Sequence, residues 1–354
     1  MTLLRFLSVF QAKTWLTLVM RGSTNLLLLG RVFRRDGTST AKFESTCRTH
    51  PFPGKTGHVF ARRWGSTRLL TPEDGAFLIS GLGRFGNGIQ QFVHAVSLAN
   101  ATGVQNLLFF PNAHTKVTKS LAVGKIELRP LRNPFEGSGR DTGWIWRSDF
   151  FLSGQQVHQF DPEAATLARP ALRDLFRQYV DDTPAPGDVL TIHLRSGDIF
   201  GPRPHPEYGQ PPFAFYQAII DSRKWSEIVV VAEDNQNPCV RAIVDYGQSH
   251  GLSIRQTGSD FGAATRELSR STHLVASRGT FVPGVVYLSE VEKTIYEFES
   301  EIDRIPSNVI HSYKTFFDQS GEYTAALLSH NWANTPSQKT MMVDYPKRLI
   351  GVKK

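Results

Sequence analysis

The sequence predicts an α/β protein built on parallel sheets, and three observations predict it. Short apolar runs alternate with segments whose apolar residues recur at helical spacing. A glycine-rich turn, Gly81-Leu82-Gly83-Arg84-Phe85-Gly86, joins one such run to one such helix. A stretch punctuated by Pro and Gly, Thr183-Pro184-Ala185-Pro186-Gly187, marks a break between two halves. Strands that alternate with helices form a parallel sheet covered on both faces.

In chain order, Gly75–Ser80 is a short apolar run and reads as a buried strand. Residues 90–101 place Phe92, Val93, Val96 and Leu98 at helical spacing, and 107–110 form a second strand. Residues 162–179 read as a helix with Leu167, Leu172, Leu175 and Phe176 on one side. The second half is clearer. Strands are predicted at 189–194, 228–232, 252–255 and 273–276, and helices at 213–220, 240–246, 263–271 and from 282 to 288. The domain organisation follows: a basic leader and linker over 1–70, an N-terminal α/β domain with the glycine loop over 71–183, a C-terminal Rossmann-like domain over 184–312, and a tail over 313–354.

The charge is uneven. Of 40 Lys/Arg and 32 Asp/Glu, residues 1–70 hold 12 and 2, so the remainder carries 28 and 30. A nucleic-acid binder needs its basic surface on the folded body, and here the body is nearly neutral. Residues 1–35 contain six basic residues and no acid. Lys13 and Arg21 interrupt the apolar stretches, which argues against a spanning helix of about 20 residues. The pattern resembles an organellar transit peptide, and membrane association is left open. Two cysteines, Cys47 and Cys239, allow one disulfide at most, and no Cys/His cluster has zinc spacing.

The glycine turn is formally G-x-G-x-x-G between a strand and a helix, the dinucleotide context. A nicotinamide site also needs an acid about 20 residues on, for the ribose. No Asp or Glu occurs from Gly75 to Ile126, so an NAD(P)-dependent oxidoreductase is disfavoured. The loop is then either a tight turn without a ligand or an anion cradle of backbone N–H groups.

The second motif is His193-Leu194-Arg195-Ser196-Gly197-Asp198, which leaves a buried strand and enters a loop. An arginine there can hold a phosphate bidentately. Asp198 either pairs with His193 or Arg195, or takes a proton from an attacking hydroxyl.

This segment resembles the H-x-R-x-G-D motif of the α1,2-, α1,6- and protein O-fucosyltransferases. Residues 83–92 (GRFGNGIQQF) are similar to the G-x-L-G-N-Q-M-F-Q-Y segment of the α1,2-type enzymes. Residues 277–288 (SRGTFVPGVVYL) are similar to their S-N-S-T-F-S-W-W-A-A-Y-L segment, and Glu233-Asp234 follows a strand where they carry S-D-D. The order holds over roughly residues 75–290. The chain departs from the pattern at Ser196, where a second arginine is common, at Arg278, and at Pro283-Gly284.

The resemblance implies a GT-B-like architecture, two Rossmann-like domains facing across a cleft. It also implies a nucleotide-sugar donor, GDP-fucose, a glycan or glycoconjugate acceptor, inversion, no cofactor and no obligatory metal, and a secretory-pathway location. Arg195 would neutralise the leaving diphosphate, with His193, Ser277 and Thr280 beside it. Glu233 or Asp234 would bind ribose or guanine, and Gly83, Gly86 and Asn87 would close the cleft. Asp198 and Glu207 are both candidates for the base, with His205 a third. A non-catalytic relative that binds a sugar nucleotide or glycan is the alternative.

Overall fold

The computed structural model describes residues 16–19, 58–61, 75–79, 81–115, 119–132, 144–148, 150, 163–299, 305 and 307–353. It divides into two compact units, Met1–Leu175 and Phe176–Lys354. Both are mixed α/β with parallel strands at the centre of the sheet, the class the sequence predicts.

The first unit holds β1 (Leu16–Val19), β2 (His58–Ala61), β3 (Gly75–Ile79), β4 (Asn106–Phe109), β5 (Leu121–Val123), β6 (Ile126–Pro130) and β7 (Trp144–Ser148). Their order is β1-β2-β7-β3-β4-β6-β5. The four central strands β7, β3, β4 and β6 run parallel, and antiparallel strands flank them on both sides. Two of the seven strands, β1 and β2, fall inside the stretch read as leader and linker. Each is only four residues long, too short for an alternation to be read against its neighbours.

Helix α1 (Phe85–Thr102) begins five residues earlier than its periodicity predicts, because the second half of the glycine motif already forms its first turn. It ends at Gly103, whose φ of 80° is the left-handed conformation that closes many helices. Its face packs on β3 and β4, with Phe92 edge-on to Phe109 at 4.9 Å. Helix α2 (Ala164–Leu175) buries Leu172 and Leu175, while Leu167 stays 39% exposed and does not join that face.

The second unit holds β8 (Val189–Leu194), β9 (Glu227–Ala232), β10 (Ile254–Thr257), β11 (His273–Val275), β12 (Thr294–Phe298), β13 (Ser312–Asp318) and β14 (Ile350–Val352). Helices α3 (Phe213–Ile220), α4 (Pro238–Ser249), α5 (Phe261–Arg270) and α6 (Phe281–Leu288) connect the first five strands. The sheet order is β10-β9-β8-β11-β12-β13-β14. Every pair is parallel except the last. Counted from β8, the six parallel strands run 3-2-1-4-5-6, the order of dinucleotide-binding sheets. The order reverses between β8 and β11, and in such sheets ligands bind at the carboxyl ends of those two strands.

Two boundaries differ from expectation. The units part at 175/176 rather than 183/184, because residues 179–187 are tied to α5. Ser269 Oγ accepts from Asp181 N and donates to Asp181 O, Ala185 N donates to Arg270 O, and Tyr179 packs edge-on to Phe261. The stretch read as a tail supplies β13, helix α7 (Pro336–Asp344) and β14 to the second sheet. Trp332, Met342 and Tyr345 from it are buried in the same core as Leu190, Phe215 and Val230. Spaced ten and three residues apart, these three carry no periodicity that a sequence reading could use.

Among the described residues no helix is long and apolar enough to cross a membrane. Cys239 is free and buried; Cys47 lies outside the described residues, as does most of the basic leader.

Candidate functional site

Strand β8 is buried along its whole length and delivers Arg195 to its carboxyl end. The guanidinium carbon of Arg195 lies 3.9 Å above the centre of the Tyr208 ring. It also lies close to Gly279, where an added Cβ would sit 2.5 Å from Arg195 Nη1. Gly279 also has φ of 131°, so glycine serves both the backbone and the close approach there. Asp198 is the only acid in ion-pair range among the described residues, at 3.7 Å from Nη2. That is too long for a hydrogen bond. Arg195 is thus a fork-shaped cation set over an aromatic ring and close against a glycine, with its donors not hydrogen-bonded to an acid.

The neighbouring strand end, β11, carries Ser277, whose Oγ is 2.6 Å from His193 Nδ1. Both are buried. Burial, and then the Arg195 charge, push His193 down to about 3. It is therefore a neutral imidazole that fixes the Ser277 hydroxyl, rather than a cation facing phosphate. Thr280 is the N-cap residue of α6, and its side chain does not cap the helix. The last turn before α6 thus places Ser277, Gly279 and Thr280 beside Arg195's strand end.

His193 has a thermodynamic consequence. In the first unit His94 is likewise pushed down, to about 4, by burial, against the pull of its hydrogen bond with Phe150 O. An unfolded chain protonates histidine below about pH 6.5, whereas these two stay neutral when folded. Stability is therefore complete above that pH and falls as pH drops toward the folded values. By pH 5 each should cost its unit about 2 kcal/mol. Urea unfolding at pH 7.5 and pH 5 checks this, and an unchanged midpoint would contradict it.

The loop after Arg195 is clamped by β9's end. Ser196 donates to Asp234, and Asn237 donates from its side chain to Arg195 O at 3.0 Å and from its backbone to Ser196 Oγ at 3.1 Å. Burial alone would raise the Asp234 carboxyl, but hydrogen bonds from Ser196, Gln236 and the Gly197 N–H hold it below its ordinary value. Asp234 is thus committed to shaping the arginine loop. Glu233 is exposed, and its carboxylate lies against Gly197, where a Cβ would meet Oε2 at 2.5 Å.

A second loop, residues 201–210, contains the 3-10 turn Pro206–Tyr208 and so fixes Glu207 next to the ring that supports Arg195. Glu207 Oε1 is 3.1 Å from His330 Nδ1, and Oε2 is 4.0 Å from His205 Nδ1. Sequence reasoning missed Tyr208, Asn237, Gly279 and His330 as parts of this site. His330 lies 123 positions from Glu207, and only the folded C-terminal segment brings them together.

In the first unit the glycine loop is closed by two side-chain amides. Gln91 accepts from Gly83 N at 2.7 Å and donates to Gly81 O at 2.8 Å. Asn112 donates to Leu82 O and Gly83 O. The Gly83 N–H is therefore already bonded, and Gly83 is needed because a Cβ would fall 2.6 Å from Asn87 Cβ. Gly86 is buried in the first turn of α1, and Asn87 follows it. This geometry is that of a tight strand-to-helix turn.

Among the described residues no three His, Cys, Asp or Glu are grouped to hold a metal ion. No family model matches the sequence. No curated protein matches it either. Among solved structures, the chain is similar to the bacterial iron-containing dodecameric glycosyltransferase TibC from enterotoxigenic E. coli H10407. The likeness covers 81% of each chain at a TM-score of 0.40 and 10% identity.

Proposed function

We propose that this chain is an inverting glycosyltransferase whose second unit holds the diphosphate of a nucleotide sugar, fucose from GDP-fucose, for transfer to a glycan hydroxyl. The observation that carries the reading is the place of Arg195. It stands at the carboxyl end of β8, where the strand order reverses, with the Ser277 hydroxyl on the adjacent strand end. A planar cation with its hydrogen-bond donors available suits a diphosphate leaving group. The ordered motifs around Arg195, Glu233 and Ser277 support GDP-fucose as the donor.

In this reading Arg195 makes bidentate contacts to the diphosphate, and Ser277 and Thr280 add hydroxyl donors. Glu233 faces the nucleoside, since Asp234 is committed to Ser196 and Gln236. The cationic side chain and hydroxyls neutralise the departing charge without a metal. The test is nucleotide release from a panel of nucleotide sugars, run with and without EDTA. GDP-fucose should be turned over fastest, at the same rate in both arms. Preference for a uridine diphosphate sugar would reject the donor. Loss of turnover in EDTA, restored by manganese, would reject metal-independence. GDP binding without any turnover would mean a sugar-nucleotide-binding protein rather than an enzyme.

A further inference from the structure

The C-terminal segment reaches the arginine site and holds one loop of it in place. Tyr323 Oη donates to Gln210 O at 2.7 Å, Trp332 N to Pro206 O at 3.2 Å, and Trp332 Nε1 to Ile199 O at 2.7 Å. Asn334 donates to Phe200 O and Gly201 O. These bonds fix both ends of the loop between Ile199 and Gln210, and Glu207 lies between them. The same segment contains a π-helical turn, Thr324–Leu328, and two residues later His330 at φ of 61°. π turns and left-handed non-glycine residues are unfavourable locally and concentrate at functional sites. Just beyond that turn, His330 Nδ1 lies 3.1 Å from Glu207 Oε1.

Two carboxylates compete for the role of base. Asp198 lies on the guanidinium itself, at 3.7 Å, where an incoming phosphate must go. A carboxylate there repels the diphosphate, so its place is as a counter-ion of Arg195. Glu207 is one residue from Tyr208, the ring beneath Arg195, so a rigid turn ties it to the diphosphate ligand without overlapping it. It is half exposed, as a group that meets an acceptor must be. The titratable and charged groups that face it among the described residues are His330, His205 and, further off, Arg278.

We infer that Glu207, paired with His330, is the group that takes the proton from the attacking acceptor hydroxyl, with His330 as its positioning residue. The inference rests on the glycosyl-transfer reading. The hydroxyl oxygen forms its bond to the anomeric carbon as the bond from that carbon to the diphosphate breaks. The electron pair leaves on the diphosphate beside Arg195, and the proton passes to Glu207 Oε and then to solvent.

The test uses the full chain and GDP-fucose, with water as the acceptor, and reads GDP release alongside GDP affinity by calorimetry. Glu207→Gln should lower GDP release about 100-fold or more and leave GDP affinity within about threefold. His330→Gln should lower kcat about tenfold with the donor KM unchanged. A merely structural contact would instead disturb the donor KM and kcat together. Thermal unfolding of each variant shows that the fold is intact. If Glu207→Gln keeps wild-type turnover while Arg195→Ala loses GDP affinity, the base assignment is overturned and the donor site stands. If Arg195→Ala also binds GDP normally, or the wild type releases no GDP, the transferase reading fails and the base assignment with it.

Discussion

Gly209→Ala should destabilise the second unit by about 3 kcal/mol or more, an effect in the range of overpacked cores. The backbone of Gly209 is ordinary; what forbids a side chain is space. A Cβ would stand 2.0 Å from the carbonyl oxygen of Leu327 and 2.8 Å from its carbon. Those are backbone atoms inside the π turn, and they cannot swing away as a side chain would. The loop and the C-terminal segment would have to separate. Separation breaks the Tyr323 bond to Gln210 O and exposes Gln210, which is fully buried. Gly258→Ala is the control, because nothing lies within 4 Å of its Cβ position. It should change stability by about 0.5 kcal/mol or less. Urea unfolding of the two variants decides the matter, and equal midpoints would contradict the close packing of Gly209 on Leu327. Because the same loop carries Glu207 and Tyr208, Gly209→Ala should also lose turnover in the fraction that remains folded.

Arg195→Ala should weaken GDP binding about 100-fold and remove turnover, while leaving the unfolding temperature almost unchanged. The size follows from the chemistry. Hydrogen bonds to charged groups contribute about 1.5–3 kcal/mol each, so losing two of them weakens affinity by at least about 100-fold, which is about 2.7 kcal/mol. The cost to the fold is small, because among the described residues the side chain is held by no more than the Tyr208 ring and a 3.7 Å contact with Asp198. A cation over an aromatic ring at a partly exposed site contributes about 0.5–1 kcal/mol. Arg195→Lys separates charge from shape. Lysine keeps the charge but neither the fork nor the planar group over the Tyr208 ring, so affinity should fall between the wild type and alanine.

How much of this was legible in the sequence depends on the range of the interactions. Strand β8 is a continuous apolar run ending in His-Leu-Arg, so its burial and the emergence of Arg195 could be read locally. The alternation of β8 to α6 was equally local. Strand order was not, because nothing in residues 189–194 says that 273–275 will lie on one side and 227–232 on the other. Asp234 looked like a group for a ribose. Its hydrogen bonds to Ser196 and to the Gly197 N–H became visible only once β8 and β9 were side by side. The glycine loop showed its glycines but not the two amides that close it, of which Asn112 comes from beyond the next strand. Strands β12 and β14 are not legible, because Thr294–Phe298 has a charged Glu297 as its fourth residue and Ile350–Val352 is three residues long. The pairing of Glu207 with His330 depends on all of that missing topology.

The central claim is that Arg195, at the strand-order reversal of the second unit, is the diphosphate ligand. Isothermal calorimetry of GDP into wild type and Arg195→Ala, at one fixed salt concentration, tests it most directly. The wild type should bind saturably at one site per chain, and the variant about 100-fold more weakly. Equal affinity in the two proteins, with the variant folded, would contradict it.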